Sequence, residues 1–206
     1  MLVVYGNPDS GHSFKVRIYC VLVGIAHEYR YVDISKPRDQ RRADFQRDAP
    51  YQEVPTIVDD GMVLAQSNAI LMHLAQKNRA LAGTASEWPR VMQWLCWEMN
   101  RIGLSMPNLR YYRHLHQGSV PAAVTDWLEG RARADLAVLE RELSQREWIL
   151  ESGFSLCDIS LSAYSHWSKQ AGIDISAWPA VAGWLARIRA LPGWQPAEQL
   201  MAPPAG

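Results

Sequence analysis

Residues 54–71, VPTIVDDGMVLAQSNAIL, carry the clearest fold signal in the chain. The Asp-Gly pair at residues 60–61 separates two short runs rich in β-branched and apolar residues, which is typical of a β-hairpin. Ile70 and Leu74 then recur at helical spacing. The stretch therefore predicts two antiparallel strands followed by a helix.

The residues before this stretch complete the pattern. Leu2 to Tyr5 form an apolar run that ends in a turn-rich loop, a helical pattern runs from Ser13 to Gly24, and Glu28 to Val32 alternate as a strand does. Strand, helix and strand within about 30 residues make a right-handed parallel crossover. With the irregular, arginine-rich stretch 37–48, the order is βαβαββα. This order predicts an α/β thioredoxin-like N-terminal domain over residues 1–76.

The second half of the chain has a different character, because the strand signal disappears from Glu87 onward. Apolar residues there recur at helical spacing in segments 88–115, 122–143, 156–169 and 181–190. The polar stretch 77–86 reads as a linker. We therefore predict an all-α C-terminal helical domain over residues 87–206.

The charge balance limits the classes of partner. Lys plus Arg number 21 and Asp plus Glu number 21, so no net field attracts phosphate backbones or anionic lipid. No apolar stretch approaches the roughly 20 residues that a membrane-spanning helix needs, and the N-terminus lacks the features of a signal peptide. We expect a cytoplasmic protein whose partners include neither nucleic acid nor membrane.

Cysteine and histidine patterns give no sign of a metal site. Cys20, Cys96 and Cys157 form no C-x-x-C pair, and each lies in a run that reads as helix, so we expect buried thiols. Four histidines have no carboxylate or cysteine partners at ligand spacing in the sequence: His73, His114, His116 and His166. We therefore expect that the protein binds no metal.

The segment SGHSFKVR, residues 10–17, places a hydroxyl immediately before the first helix. Unpaired backbone amides and the positive end of the helix dipole favour an anion there. Lowering a thiol pKa by about two units requires roughly 2.7 kcal/mol, and one charge-assisted hydrogen bond plus the dipole can supply it. Local sequence leaves a second interpretation open, in which Ser10 or Ser13 serves only as the N-cap.

With these features the chain resembles the soluble glutathione transferases over nearly its whole length. Tyr5-Gly6-x-x-x-Ser10-Gly11-x-x-x-Lys15-Val16-Arg17 is similar to the first loop of bacterial serine-type members, which are related to the theta and zeta classes. The resemblance implies that Ser10 is the catalytic residue that activates the glutathione thiol. It also implies that His12 is a second polar group on the thiol side, where close relatives often have Asn or Cys.

Two further motifs of the first domain resemble the family. Val54-Pro55 is similar to its cis-proline motif, which implies a cis Pro55 and backbone contacts from Val54 to the cysteinyl part of glutathione. Gln66-Ser67-Asn68-Ala69-Ile70 resembles Glu-Ser-x-Ala-Ile, which implies that Gln66 and Ser67 hold the γ-glutamyl part. Pro55 as a plain edge-strand feature and Ser67 as a plain N-cap remain the alternatives.

Two positions depart from the family pattern. Gln66 replaces the usual Glu, which keeps a hydrogen-bond acceptor but loses the charge. Glu53 stands where relatives often carry Lys or Gln for the glycyl carboxylate, which an acid repels. Gln40, Lys36 or Gln52 is then expected to supply that contact, and affinity for glutathione is expected to be weaker.

The helical half carries one structural motif and one candidate pocket. Ser155 and Asp158 match the family's Ser/Thr-x-x-Asp capping box, for which we expect a cost of about 1–2 kcal/mol when Asp158 becomes Ala. Met106, Tyr112 and Trp167 belong to helices that, by the resemblance, line the hydrophobic second-substrate site. Core packing is the alternative for each of these three.

The resemblance implies an enzyme, a glutathione S-transferase that conjugates the glutathione thiolate to a small hydrophobic electrophile. Glutathione would be the co-substrate, with no tightly bound cofactor, and the family implies a homodimer. Two alternatives stay open: a glutathione-dependent disulfide or peroxide reductase, and a non-catalytic binding module that has kept the fold.

Overall fold

A computed structural model describes residues 1–116 and 118–203. The chain divides into two compact units. The first comprises Met1–Ala82 together with residues 191–203, and the second comprises Gly83–Ala190.

The first unit has the predicted thioredoxin-like order of elements. These are β1 (Leu2–Gly6), α1 (Gly11–Val23), β2 (His27–Tyr31), a 3₁₀ turn (Arg38–Gln40), α2 (Ala43–Asp48), β3 (Thr56–Asp59), β4 (Met62–Ala65) and α3 (Ser67–Asn78). The sheet order is β2-β1-β3-β4, in which β1 and β2 are parallel and the other two pairs are antiparallel. The mixed sheet and the helices around it confirm the predicted fold class.

Local sequence signals explain the ends of these elements. Asp60 and Gly61 both adopt positive φ angles, 49° and 90°, as a two-residue hairpin turn requires, so the predicted hairpin is confirmed. Gly24 ends α1 in the left-handed conformation at φ 77°, a position that glycine adopts without steric cost. Val3 and Tyr5 pack with Phe45, so α2 covers one face of the sheet. The alternation of a strand turns Val4 to the opposite face, where α1 packs against α3.

The second unit is helical, as predicted. It contains a 3₁₀ turn (Ala85–Glu87), α4 (Trp88–Asn100), α5 (Ile102–Arg110), a π-helical turn (Tyr111–Leu115), α6 (Ala122–Leu143), α7 (Leu156–Ser162), two 3₁₀ turns (Ser165–Trp167 and Ile175–Ala177) and α8 (Pro179–Arg189). The predicted helical segment 88–115 is interrupted at Arg101, whose φ of −120° and ψ of −107° are not helical. A Cβ at Gly103 would lie 2.0 Å from the buried Glu98 Oε1, so this bend requires a glycine.

The C-terminal segment differs from the predicted domain boundary. Residues 191–203, including α9 (Ala197–Leu200), belong to the first unit and not to the helical one. Trp194 packs edge-on against Phe14 of α1, with 6.3 Å between ring centroids. Tyr29 Oη donates a hydrogen bond to the Met201 carbonyl. The predicted range 87–206 for the helical domain is therefore too long, because apolar groups of the last segment are buried against α1. The predicted end at Gly206 lies outside the described residues.

The predicted capping box at the start of α7 is present and larger than the local sequence indicates. The Asp158 carboxylate accepts hydrogen bonds from the Ser155 N–H and hydroxyl, the Ile149 N–H and the Trp184 indole N–H, at 2.9–3.0 Å. Asp158 is 0% exposed. Burial raises its pKa to about 6, and these donors oppose the rise by favouring the charged form. This side chain therefore joins α7, α8 and the loop before α7.

None of the helices within the described residues combines the length and apolarity that a bilayer crossing requires.

Candidate functional site

The register of the sheet places the three segments predicted to bind glutathione at the same end of the strands. Tyr5 of β1 lies opposite Thr56 of β3, and Thr56 lies opposite Ala65 of β4. The loop that follows β1, the residues that precede β3 and the residues that follow β4 therefore emerge at the same end of the strands. The hairpin brings the residues before β3 next to those after β4, and the pairing of β1 with β3 adds the loop after β1, which is more than 40 residues away in the chain.

The loop after β1 is pinned by Asn7, a residue that the sequence analysis did not single out. Its amide donates to the Val32 carbonyl at 2.7 Å and accepts from the Asp9 N–H at 2.8 Å. The Asn7 carbonyl in turn accepts from the Ser10 N–H at 3.0 Å. Asn7 is 3% exposed, so these bonds are shielded from water. The frequent occurrence of Asn in turns was the one available sequence signal.

Ser10 is the N-cap of α1, and its hydroxyl oxygen accepts a hydrogen bond from the Ser13 N–H at 3.1 Å. Ser10 is 8% exposed and has extended backbone angles, as a cap residue should. A hydroxyl that accepts one bond still carries a proton to donate. Capping and thiol activation are therefore compatible roles for the same atom, and the cap fixes where that proton can point.

The nearby Tyr5 hydroxyl is not a competing activator. Tyr5 Oη donates to Asp48 at 2.7 Å on the face of the sheet that α2 covers. Burial, followed by the hydrogen bond to Asp48, raises the Tyr5 pKa to about 12. Its proton is thus committed to a carboxylate away from the loop that holds Ser10.

The start of α1 meets the start of α3. His12 Nδ1 lies 3.4 Å from Ser67 Oγ, so two of the predicted glutathione contacts are neighbours. Ser67 is 8% exposed and His12 is half-buried. Ser67 opens a helix of twelve residues, whose first amides and dipole favour an anion.

The Val54-Pro55 peptide bond is cis, as the resemblance implies. Val54 lies just before β3, and within residues 1–116 and 118–203 its backbone N–H and C=O take part in no hydrogen bond. Free backbone groups beside a sheet can pair with an extended peptide as an added strand would. Glutathione is such a peptide.

Gln66 has an unusual backbone conformation for a residue that is not glycine. Its φ is 71° and its ψ is 110°, and its exposed side chain makes no capping hydrogen bond. Residues in sparsely populated φ/ψ regions are strained, and the surrounding structure must compensate for that strain. Such residues occur often at binding sites. The strain falls on the residue immediately before Ser67.

Gln52 and Gln40, both predicted to contact the glycyl carboxylate, differ in whether their side chains are already hydrogen-bonded. Gln52 donates its side-chain amide to the carbonyls of Gln46 and Ala49 at 2.9 and 2.8 Å, so those N–H groups are already engaged. Gln40 ends the exposed 3₁₀ turn. Arg38, in the same turn, lies 4.0 Å from the carboxylate of Glu53 and offsets its charge. Sequence reasoning passed over Arg38, because it was one of several arginines in a basic run.

Two of the three cysteines are buried. Burial raises the pKa of Cys20 and of Cys157 to about 12, so both stay protonated near neutral pH. Cys96 is exposed on α4 of the second unit, which corrects the expectation that all three thiols are buried.

The residues predicted to bind the second substrate lie in the helical unit. Met106 on α5 is 1% exposed and Trp167 is 7% exposed, with Arg110 stacked 4.3 Å from the Trp167 ring centroid. Tyr112, in the π-helical turn, packs against Tyr111 and His116 at centroid distances of 5.4 and 6.0 Å. Their part in substrate binding stays a prediction.

Metal-type clusters are absent from the part of the chain that the structure describes. No group of three or more His, Cys, Asp or Glu residues there is arranged to hold an ion.

Comparison with known proteins assigns both halves of the chain. Residues 1–76 match the family model described as glutathione S-transferase, N-terminal domain, and residues 117–187 match the corresponding C-terminal domain model.

Three relatives illustrate the similarity. A crystal structure of a possible glutathione S-transferase from Rhodopseudomonas palustris is 31% identical, with a TM-score of 0.85 over 96% of this chain and 98% of that one. A glutathione S-transferase from Xanthobacter autotrophicus is 30% identical, with a TM-score of 0.81 over 97% of this chain and 100% of that one. The disulfide-bond oxidoreductase YfcG of Escherichia coli is 29% identical over 202 residues, which is 93% of this chain and 92% of that protein.

Proposed function

The chain belongs to the glutathione S-transferase family, and on that premise we propose that it conjugates glutathione to a small hydrophobic electrophile, with Ser10 as the residue that activates the thiol. The observation that carries this proposal is the Ser10 hydroxyl, which caps α1 through its oxygen and keeps its proton available for a sulfur anion. We place the enzyme in the cytoplasm as a homodimer, as the family resemblance implies.

Glutathione would bind to the three segments that lie at the same end of β1, β3 and β4. The backbone of Val54 pairs with the cysteinyl part, and Ser67 with the first amides of α3 holds the γ-glutamyl carboxylate. Gln66 offers its side-chain oxygen to the α-amine. Arg38 attracts the glycyl carboxylate, a contact that the acidic Glu53 beside it weakens.

The chemical step is a nucleophilic substitution or addition by sulfur. The bound thiol loses its proton to solvent, and the Ser10 hydroxyl donates a hydrogen bond to the resulting thiolate. In a substitution, the thiolate forms a C–S bond with the electrophilic carbon as the leaving group departs with its electron pair. In an addition, the C–S bond forms as the electron pair of the C=C bond moves to the neighbouring carbon, which then takes a proton from solvent. The fixed position of Ser10 matters because a donor that is already oriented does not have to reorganise during the reaction.

Replacement of Ser10 by Ala tests the proposal. Loss of one charge-assisted hydrogen bond should lower kcat by about tenfold or more while the Kd for glutathione stays nearly the same. Ser10→Thr should retain most of the activity, because it keeps both the cap and the donor.

Ser13→Ala is the matched control for Ser10→Ala. The Ser13 hydroxyl is fully buried and has no hydrogen-bond partner within the described residues, so its loss should leave turnover unchanged. Because Ser10→Ala also removes an N-cap, circular dichroism must establish that the variant is folded at the assay temperature. Wild-type turnover in folded Ser10→Ala would reject Ser10 as the activator.

A second candidate function is glutathione-dependent reduction of disulfides, which the similarity to YfcG favours. Because no cysteine stands at the start of α1, the sulfur at that position would come from glutathione itself. One glutathione thiolate would attack the disulfide to form a mixed disulfide, and a second would release glutathione disulfide. Rates with a mixed disulfide and with a chloro-nitroaromatic, measured side by side, distinguish the two reactions.

A non-catalytic binding module is the remaining alternative, which the Glu53 and Gln66 departures keep open. Calorimetric titration with glutathione separates it from both enzymes. Binding at micromolar to millimolar concentration supports an enzyme, and failure to bind at millimolar glutathione favours the module.

A further inference from the structure

Polar contacts between the start of α1 and the start of α3 include an outer and an inner one. The outer one links His12 to Ser67, as described above. The inner one is a hydrogen bond that the Lys15 ammonium donates to Asn68 Oδ1 across 3.4 Å. His12 and Lys15 are three residues apart on α1 and so lie on one side of it, while Ser67 and Asn68 are the first two residues of α3.

The inner contact is fully enclosed by protein. Lys15 is 0% exposed and Asn68 is 2% exposed. Lysine is almost never fully buried without polar partners, because removing an ammonium from water is costly. An apolar side chain of similar length would fill the same space between two helices without that cost. Packing alone therefore does not account for a lysine at this position.

We propose that Lys15 is a positioning residue for glutathione. Through Asn68 it holds the first turn of α3 at the spacing from α1 that lets one ligand reach Ser10 and Ser67 together. The inference rests on the proposed function, because it concerns the same site. Ser10 is held by contacts with Asn7 and Ser13 that do not involve Lys15. Lys15 therefore governs affinity for glutathione and leaves thiol activation to Ser10.

Lys15→Met tests this assignment, because it keeps the length of the stem and removes the ammonium. The Kd for glutathione, measured by calorimetry, and the KM for glutathione should both rise about tenfold, the size expected for one lost contact that holds a binding group in place. The kcat at saturating glutathione and the KM for the electrophile should stay within about twofold of wild type. Lys15→Arg should recover most of the affinity, because its guanidinium can also donate to Asn68.

Asn68→Ala removes the other half of the contact and should raise the Kd similarly. If the two side chains act through one contact, the double variant binds no more weakly than the weaker-binding single variant. Lys169→Met is the control, since Lys169 is an exposed lysine of the helical unit whose loss should not change the Kd. Should Lys15→Met fail to fold, Asn68→Ala carries the test alone.

A merely structural Lys15 would lower the stability of the variant and leave the glutathione Kd of the folded protein at the wild-type value, which would overturn the inference. A fall in kcat with unchanged Kd would also overturn it, because Lys15 would then act on the thiol. Wild-type protein that does not bind glutathione would instead reject the proposed function. Wild-type binding together with unchanged Kd in both single variants rejects only the role of Lys15.

Discussion

Replacement of Asp158 by Ala should be among the most damaging single changes to the stability of the helical unit. The carboxylate accepts bonds from three N–H groups, those of Ile149, Ser155 and the Trp184 indole, in addition to the Ser155 hydroxyl. Asp158 is 0% exposed, so water does not replace a lost acceptor without rearrangement. The perturbation therefore leaves several buried donors unpaired at once.

The magnitude follows from those donors. A buried donor left without a partner costs about 1–3 kcal/mol, and partial relaxation places three of them at about 3–5 kcal/mol in total. The capping box taken from sequence alone leads to only about 1–2 kcal/mol. The difference arises because two of the three N–H donors, on Ile149 and Trp184, lie outside the box.

Urea denaturation followed by circular dichroism at pH 7.5 measures this free energy of unfolding. Asp174→Ala is the matched control, since Asp174 is exposed and caps a single 3₁₀ turn by accepting a hydrogen bond from the Ser176 N–H. We expect the control to cost less than about 1 kcal/mol. A loss below about 1.5 kcal/mol in Asp158→Ala, or a loss equal to the control, would refute the reasoning. Below its unfolding transition, the Asp158 variant should retain kcat, because the side chain takes no part in chemistry.

Three further predictions follow from the charges and burial of particular side chains. Glu53→Gln should lower the glutathione Kd by about twofold to threefold in low salt, because it removes a surface negative charge beside the proposed glycyl-carboxylate contact. The effect should be smaller in high salt, which screens that charge. An equal or weaker affinity by calorimetry would contradict the prediction. A thiol reagent should modify Cys96 rapidly in the native protein and reach the two buried thiols only after unfolding, and rapid reaction of all three would show that α1 and α7 open readily. Hydrogen bonds from the Thr84 backbone, followed by those from Ser152, lower the pKa of Glu87 to about 2. The ionised Glu87 therefore stabilises the folded protein above its ordinary pKa, and this stabilisation is lost as the pH falls toward 2. Glu87→Gln should thus destabilise the protein at pH 7 but not at pH 2, and urea midpoints at both values check the sign.

The structural roles that the sequence predicted correctly all depend on residues close together in the chain. The hairpin depends on the two turn residues Asp60 and Gly61, and the caps depend on Ser10 and Ser155 within three residues of the groups they bind. Such short-range geometry is specified by the chain itself.

The residues that sequence analysis missed depend on partners far away in the chain. Asn7 was an ordinary loop residue until β2 placed the Val32 carbonyl against it. Arg38 was one of several arginines until the fold brought Glu53 within 4.0 Å. Neither pairing leaves a pattern in sequence, because every residue offers the same backbone carbonyl and because other charged side chains of suitable length could replace Arg38 and Glu53.

The sequence by itself determined the order of strands and helices, the hairpin, the helix caps and the motifs that mark the family, since each depends on contacts within a few residues. Only the tertiary structure decided that residues 191–203 pack on the first unit, that the helical segment after Trp88 bends at Arg101, and that the buried Lys15 lies beside Asn68. These outcomes depend on which surfaces meet and exclude water when the chain collapses. That choice is made by the packing of the whole unit and not by any local stretch.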